Sequence, residues 1–137
     1  MMALRFHHLG VAVRDLAGAA GTYARLFGFS VLHGPVDDPI QGVTLCFMGT
    51  GVPGDVMYEL VTRLAGVARS PVDRILERGN TSYHVCYEVP RLEETVARFI
   101  LEGALHISGP MPAVAFGGRR IAWLLLPTRH LLELLEA

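Results

Sequence analysis

The segment that decides the fold is His8-Leu9-Gly10-Val11-Ala12-Val13-Arg14-Asp15-Leu16, because its pattern returns 76 residues later in the chain. The second copy reads His84-Val85-Cys86-Tyr87-Glu88-Val89-Pro90-Arg91-Leu92. Each copy opens with a histidine in a short alternating run, which is typical of a half-buried strand, and then enters a helical pattern. Similarity at a fixed spacing indicates a repeated structural unit, so we predict that one module is written twice.

Each predicted strand is followed by a predicted helix. In the first copy, Asp15 is a good N-cap and Gly28 stands where a glycine often ends a helix. In the second, Glu93 and Glu94 lie near the positive end of the helix dipole and Gly103 ends the pattern. The apolar residues at helical spacing are Leu16, Ala19, Ala20, Tyr23, Leu26 and Phe27 in the first copy, and Leu92, Val96, Phe99 and Ile100 in the second.

The remainder of each copy predicts about three antiparallel strands. The same spacing pairs Phe47 with Trp123, and both residues lie in strand-like runs, 43–48 and 121–126. The last strands are 56–61 and 130–135. There Glu59 matches Glu133 at a spacing of 74, so the second hairpin turn is two residues shorter. The predicted module is therefore strand, helix and three strands.

The repeat also predicts the domain organisation. A single copy of about 60 residues would hardly be stable alone, so the two copies should share one sheet. We predict a single domain over 1–137, with a first module at 5–64, a connecting helix within 65–80 and a second module at 81–137. The connecting helix is predicted to begin at Ser70-Pro71, an N-cap followed by proline at the first helical position, and to end at Gly79-Asn80.

The composition describes a globular protein without a nucleic-acid or membrane role. The chain has 137 residues, a formal net charge of −1 and 51% apolar residues. This apolar fraction excludes a disordered chain, and the small net charge provides no field to attract phosphate backbones or anionic lipids. No stretch approaches the roughly 18 apolar residues of a membrane span, and the first residues lack the apolar core of a signal peptide. We therefore expect a cytoplasmic protein.

Two residue types limit the chemistry further. All 12 basic residues are arginine, so a lysine Schiff base or a lysine general base is excluded. Cys46 and Cys86 each lie inside an apolar strand-like run. This placement favours small buried residues in a reduced protein over a disulfide framework.

One metal-ligand type of side chain occurs on each of four predicted strands. Because side chains alternate along a strand, His8 points away from Leu9, Val11 and Val13, which suit packing against the helix. The same alternation turns the remaining three, Glu59, His84 and Glu133, away from their apolar neighbours. We expect all four to face one concave surface.

The free-energy cost of burying a charged side chain indicates a metal-binding role for these four residues. An ionised carboxylate in an apolar strand such as 131–135 must be paired, protonated or bound to metal. Two imidazoles and two carboxylates form a mixed nitrogen and oxygen site for a divalent ion. The other histidines lack this symmetry and are expected at the surface or in loops; they are His7, His33, His106 and His130.

The sequence resembles the vicinal oxygen chelate superfamily, which includes glyoxalase I, bleomycin-resistance proteins, extradiol dioxygenases and methylmalonyl-CoA epimerase. The likeness covers nearly the whole chain and is greatest to the epimerase branch, in residues 8–16, 70–72, 83–89 and 131–134. It implies an α+β fold of two βαβββ modules in tandem, forming a half-open mixed β-barrel. It also places the metal ligands at His8, Glu59, His84 and Glu133.

The resemblance implies a divalent-metal-dependent isomerase or epimerase, with Co, Ni, Mn or Zn as the cofactor. Such an enzyme abstracts a proton α to a carbonyl of a small-molecule substrate through a metal-stabilised enediolate. Glu133 is the first candidate for the base, Glu59 is its counterpart, and Glu88 is a further acid/base candidate. Gln41, Arg119 and Arg120 are the predicted substrate-binding residues. We also expect a homodimer.

Two departures from the epimerase pattern leave other functions open. Ile40 stands where that branch carries a proton-transferring glutamate, and the turn at 127–130 is about three residues shorter than the loop of the family. A lyase of the glyoxalase I type would use the same four ligands. A non-catalytic binding or resistance protein would use the concave pocket to hold a small molecule.

Overall fold

The computed structural model describes residues 3–137, and Met1 and Met2 lie outside the described residues. In this range the chain forms eight strands, three α-helices and one short 3₁₀ helix. In chain order the elements are β1 (Arg5–Ala12), α1 (Leu16–Phe27), β2 (Ser30–Asp38), β3 (Val43–Gly49), β4 (Tyr58–Arg63), α2 (Asp73–Glu77), β5 (Ser82–Val89), α3 (Leu92–Leu101), β6 (Leu105–Pro112), the 3₁₀ helix (Val114–Phe116), β7 (Arg120–Leu125) and β8 (Leu131–Glu136). The α+β class and the order strand, helix, three strands are confirmed in both halves.

The described chain divides into two compact units. The first is His8–Tyr83, and the second consists of residues 3–7 with His84–Ala137. In the first unit the strand order is β2, β3, β4, β1, and β1 and β4 are the parallel pair. In the second the order is β5, β8, β7, β6, and β5 and β8 are the parallel pair. The predicted module boundaries, 5–64 and 81–137, stay predictions.

In the first unit, α1 packs on one face of the sheet. Its core is formed by the buried side chains of Cys46, Met48 and Leu60. The residues packed against this core are Val11, Val13, Leu16, Ala19, Ala20, Tyr23, Phe29 and Tyr58. Because side chains alternate along each strand, the opposite face receives the neighbours of these residues. The predicted packing of Val11 and Val13 on the helix side is therefore confirmed.

The second unit repeats this arrangement with α3. The helix buries Leu92, Thr95 and Val96, and the Thr95 hydroxyl donates a hydrogen bond to the Arg91 carbonyl at 2.7 Å. Both long helices are followed by a glycine in the left-handed conformation, Gly28 at φ 70° and Gly103 at φ 100°. These glycines end the helices where the sequence predicted.

The connecting helix differs from its prediction. It spans Asp73–Glu77 with Val72 as N-cap, so it begins later than Ser70-Pro71. The Ser70 N–H donates to the Asp73 carboxylate at 3.0 Å, and the Asp73 N–H donates to the Ser70 carbonyl at 3.1 Å. The Ser70 N–H, and then the Arg63 guanidinium, lower the pKa of the Asp73 carboxyl. The aspartate thus serves the helix start in place of the serine hydroxyl.

A matched irregularity interrupts β2 and β6. Gly34-Pro35 and Gly109-Pro110 are cis peptides, and both glycines have positive φ, 93° and 86°. The register of each strand shifts at this point against β3 or β7. A Cβ on Gly34 would lie 2.8 Å from the Leu45 carbonyl oxygen. Only glycine permits this close approach of two strands.

The two units differ in how they fill the space beside the helix end. In the first, four aromatic rings pack together, with centroids 5.2–6.4 Å apart; they are Tyr23, Phe27, Phe29 and Tyr58. In the second, Ala104 follows Gly103 as Phe29 follows Gly28. A cavity of about 330 Å³ lies there, lined in part by Phe99, Ala104 and Pro127. The repeat therefore holds for the backbone but not for this packing.

The two cysteines lie in the core of the described residues. Cys46 and Cys86 are both buried, and no disulfide links them. No described helix is long and apolar enough to cross a membrane.

Candidate metal centre

The first unit places His8 beside Glu59. Strands β1 and β4 run parallel with Gly10 opposite Glu59, and His8 lies two residues before Gly10 and hence on the same face. His8 Nε2 is 3.6 Å from Glu59 Oε1. Their side chains are almost fully buried, with residue exposures of 0% and 6%. An imidazole and a carboxylate therefore face each other out of solvent.

The second unit repeats the pair with His84 and Glu133. Strands β5 and β8 run parallel with Cys86 opposite Glu133, and His84 lies two residues before Cys86. His84 Nε2 is 3.3 Å from Glu133 Oε1, and the two residues are 2% and 3% exposed. The register is thus the same in both units.

An aromatic ring accompanies the histidine in each pair. The His8 ring meets the Phe47 ring edge to face at 5.2 Å, and the His84 ring meets the Trp123 ring at 4.7 Å. In the strand ladders, Phe47 is opposite Glu59 and Trp123 is opposite Glu133. The sequence paired these two aromatic residues without giving them a role. The structure shows that each ring contacts the imidazole from the strand beyond the glutamate, β3 in the first unit and β7 in the second.

The chemistry of each pair suits a divalent cation. The separations of 3.3 and 3.6 Å exceed the usual donor–acceptor distance of a hydrogen bond, about 2.7–3.2 Å. They agree with two donors of one ion, since bonds of about 2.0–2.2 Å place neighbouring donors roughly 3.0–3.6 Å apart. A buried carboxylate also needs a positive partner. The donor sets therefore fit a metal ligated by nitrogen and oxygen.

The charge of Glu59 acts on a residue beneath it. Burial, and then the nearby Glu59 carboxylate, raise the pKa of the Cys46 thiol. Cys46 belongs to the core under α1 and stays protonated at neutral pH. It is therefore a packing residue, as predicted, and not a reactive thiolate.

Arg119 and Arg120, at the start of β7, form ion pairs with acidic side chains. Arg119 donates to the Glu88 carboxylate at 2.7 Å and to the Glu136 carbonyl at 3.2 Å, and it lies over the Phe116 ring at 5.7 Å. Arg120 pairs with Glu93 at 2.6 Å and with the Glu136 carboxylate at 2.5 Å. The two arginines are thus positioned by ion pairs rather than lying loose in a loop.

The remaining candidates have distinct surroundings. The Arg119 guanidinium lowers the pKa of Glu88, which keeps this carboxylate ionised and makes it a poor proton donor. Gln41 lies half-buried in the turn between β2 and β3, and its N–H donates to the buried Asp38 carboxylate at 3.0 Å. Glu88 is therefore a partner of Arg119, whereas Gln41 is held at the end of a hairpin.

His33 belongs to the face of the first pair, which the sequence did not indicate. It lies opposite Phe47 in the β2/β3 ladder, and the two rings stack at 6.2 Å with 27° between their planes. The ladder is irregular on both sides of His33, between Val31 and His33 and between His33 and Val36. Alternation along β2 therefore fails as a guide to which face this side chain joins.

The chain is similar to proteins of known family and structure. Residues 7–123 match the family model of the glyoxalase/bleomycin resistance protein/dioxygenase superfamily. An ethylmalonyl-CoA/methylmalonyl-CoA epimerase of Cereibacter sphaeroides is 30% identical over 122 residues, which cover 88% of this chain and 87% of that protein.

Solved structures share the fold over nearly the whole chain. A hypothetical protein of Bacillus halodurans has a TM-score of 0.81 at 26% identity, covering 98% of this chain and 95% of that one. The methylmalonyl-CoA epimerase of Mycobacterium tuberculosis has a TM-score of 0.77 at 22% identity, covering 96% and 87%. At 22% identity, the likeness to the Mycobacterium tuberculosis protein concerns the fold alone.

Proposed function

Because the chain belongs to the glyoxalase/bleomycin resistance protein/dioxygenase superfamily, as its resemblance predicted, we propose that it is a metal-dependent epimerase acting α to the carbonyl of a small acyl-CoA. The observation that carries the proposal is the pair of buried His–Glu contacts at equivalent register in the two units. The 30% identity to an ethylmalonyl-CoA/methylmalonyl-CoA epimerase over most of both chains supports the substrate class.

The proposed ligands of one divalent cation are His8, Glu59, His84 and Glu133. Their imidazole and carboxylate donors suit Co, Ni, Mn or Zn. When bound, the ion would supply Lewis-acid stabilisation of the negative charge that develops on the substrate carbonyl. Phe47 and Trp123 would keep the two imidazoles in place beside their carboxylates.

The proposed proton chemistry belongs to the carboxylates. Glu133 or Glu59 accepts the proton from the α-carbon, and the electron pair of the broken C–H bond moves into the carbonyl. Transfer of a proton to the other face of the same carbon then gives the epimer.

The proposed substrate-binding residues are Gln41, Arg119 and Arg120. A guanidinium binds carboxylates and phosphates through paired hydrogen bonds, and an acyl-CoA carries phosphates. Glu88 and Phe116 hold the Arg119 side chain, which is 38% exposed, in a preset position. Such a position lowers the entropy lost when an anion binds.

The proposal is tested with single epimers of methylmalonyl-CoA and ethylmalonyl-CoA, by measuring inversion together with the metal content of the purified protein. Glu133→Gln and Glu59→Gln should each lower inversion at least about 100-fold, as loss of an acid/base group does. Both should also reduce bound metal. Glu136→Gln is the matched control, because Glu136 lies on β8 near Glu133 but pairs with Arg120.

The alternatives give different results in the same experiments. A lyase of the glyoxalase I type would turn over a hemithioacetal and leave both acyl-CoA epimers unchanged. A binding or resistance protein would show neither reaction and would not need stoichiometric metal. Equal behaviour of the three glutamine variants would contradict the assignment of the site.

A further inference from the structure

Inversion at a carbon requires two proton-exchanging groups, one on each side of it. We infer that His33 is the second of these groups, and that its imidazole delivers a proton to the face of the α-carbon opposite Glu59. This inference rests on the proposed function, with Glu59 rather than Glu133 as the carboxylate that removes the proton. It deepens that function by naming the residue that returns a proton.

The strand ladder places His33 and Glu59 on one face of the first sheet. His33 is opposite Phe47 on β3, and Phe47 is opposite Glu59 on β4. Directly opposed residues of neighbouring strands share a face. The three residues therefore form a row across β2, β3 and β4, with the aromatic ring in the middle.

The spacing of the strands sets the width of this row. Neighbouring strands are about 4.8 Å apart, so two strand spacings separate the backbones of His33 and Glu59 by roughly 9.6 Å. A proton-transferring group works at about 2.6–3.2 Å from its target, which requires two reactive atoms about 6 Å apart. In the proposed arrangement, a substrate α-carbon lying over Phe47 would have the Glu59 carboxylate on one side and the His33 imidazole on the other.

Ring packing holds the His33 side chain in this row. Its imidazole stacks on Phe47 at 6.2 Å, and the same Phe47 ring meets His8 at 5.2 Å. His33 is exposed, whereas Glu59 is 6% exposed. The imidazole therefore reaches solvent, and histidine is the side chain most often used as a general acid or base.

The other proton-exchanging side chain on this face of β2 to β4 is already engaged. Asp38 is opposite Val43, is 2% exposed, and accepts the Gln41 N–H at 3.0 Å. It closes the hairpin turn at the far end of the row. Among the described residues of β2 to β4, His33 is therefore the acid/base partner that the geometry offers to Glu59.

The step is balanced in atoms and electrons. Glu59 takes H⁺ from the α-carbon, and the C–H electron pair moves into the carbonyl to give an enolate. The pair then returns to the α-carbon, which forms a new bond to H⁺ from the His33 imidazolium on the opposite face. Neutral His33 regains a proton from solvent and Glu59 loses one to solvent, so the reaction consumes no co-reactant.

The test separates proton removal from proton return by running the reaction in D₂O with one epimer of methylmalonyl-CoA or ethylmalonyl-CoA. In His33→Gln, inversion should fall at least about 100-fold. Exchange of the α-proton for deuterium with retained configuration should persist, because the carboxylate is intact. His106→Gln is the matched control, since His106 is an exposed histidine on β6, and it should invert within twofold of the parent.

Chemical rescue supplies the second variant. His33→Ala should lose inversion and recover part of it when free imidazole is added. Inversion at the parental rate in both His33 variants would overturn the inference while leaving the proposed function standing. If the parent protein neither inverts nor exchanges these substrates, the proposed function falls and the role of His33 falls with it.

Discussion

At the scale of single residues, the neighbours of a charge decide its role. Glu59 and Glu133 are buried beside imidazoles, whereas Glu88 is buried only in part and lies beside Arg119. These surroundings are the reason why the first two are proposed as metal ligands and as bases. Glu88 is instead an ionised anchor for an arginine, because its pKa is lowered by the guanidinium that hydrogen-bonds it.

The Glu88–Arg119 pair should make the free energy of unfolding depend on pH in the acid range. A carboxyl whose pKa is lowered in the folded protein contributes stability above its ordinary value of 4.5, and this contribution is lost as the pH falls below that value. Glu88→Gln should lower the free energy of unfolding at pH 7 by about 1 kcal/mol. It should also flatten the loss of stability between about pH 5 and pH 3.

Urea unfolding at pH 7 and at pH 3.5 measures this effect. Arg119→Met provides the control, because Glu88→Gln should have little further effect once the guanidinium is gone. Parallel pH curves for the parent and Glu88→Gln would show that the pair contributes nothing in solution.

At the scale of elements, the close approach of a neighbouring strand requires a glycine in both β2 and β6. Both strands contain a Gly-Pro step where the ladder shifts register. The glycine is required for two reasons that are separable: a positive φ, and the absence of a Cβ where another strand passes. Gly109 combines both, since a Cβ there would lie 2.8 Å from Ala122 Cα.

Substitution of two glycines with alanine separates these reasons. Gly66 has φ 83°, nearly the φ of Gly109, but a Cβ on it would meet nothing within 4 Å. Gly66→Ala should therefore cost only about 1 kcal/mol of stability. Gly109→Ala should cost about 3 kcal/mol or more, because the backbone must also move. Chemical denaturation of both variants measures the difference, and equal losses would mean that φ alone requires glycine at 109.

At the scale of the whole molecule, the duplication gives each unit two of the proposed metal ligands. The first unit has His8 and Glu59, and the second has His84 and Glu133. Two ligands hold a divalent ion weakly, so the proposed centre requires a contribution from both units. Chelator-treated protein titrated with Co, Ni, Mn or Zn should bind one ion per chain. Saturation at 1,000 times the dissociation constant should stabilise the fold by about 4 kcal/mol, which raises Tm by roughly 10 °C.

Variants in either unit distinguish one shared ion from two separate ones. Glu59→Gln in the first unit and Glu133→Gln in the second should each abolish most of the binding and of the Tm increase. If each variant loses half of the bound metal and keeps the rest, the two pairs act independently. Calorimetric titration gives the stoichiometry directly.

The sequence by itself determined the repeat, the fold class and the helix-packing faces. It also placed His8, Glu59, His84 and Glu133 at matched strand positions. These depend on local properties: side chains alternate along strands, helices have capping residues, and a carboxylate in an apolar strand needs a partner. The family resemblance followed from the same residues, and the family match over residues 7–123 confirms it.

Only the tertiary structure decided the placement of His33, the ion pairs of Arg119 and Arg120, and the start of the connecting helix at Asp73. Register shifts in β2 break the alternation that would have shown the direction of His33. The acids that meet the two arginines come from β5, α3 and the end of β8. Such contacts depend on which strands pair and at what register, and that information is carried by packing between distant segments rather than by any one of them.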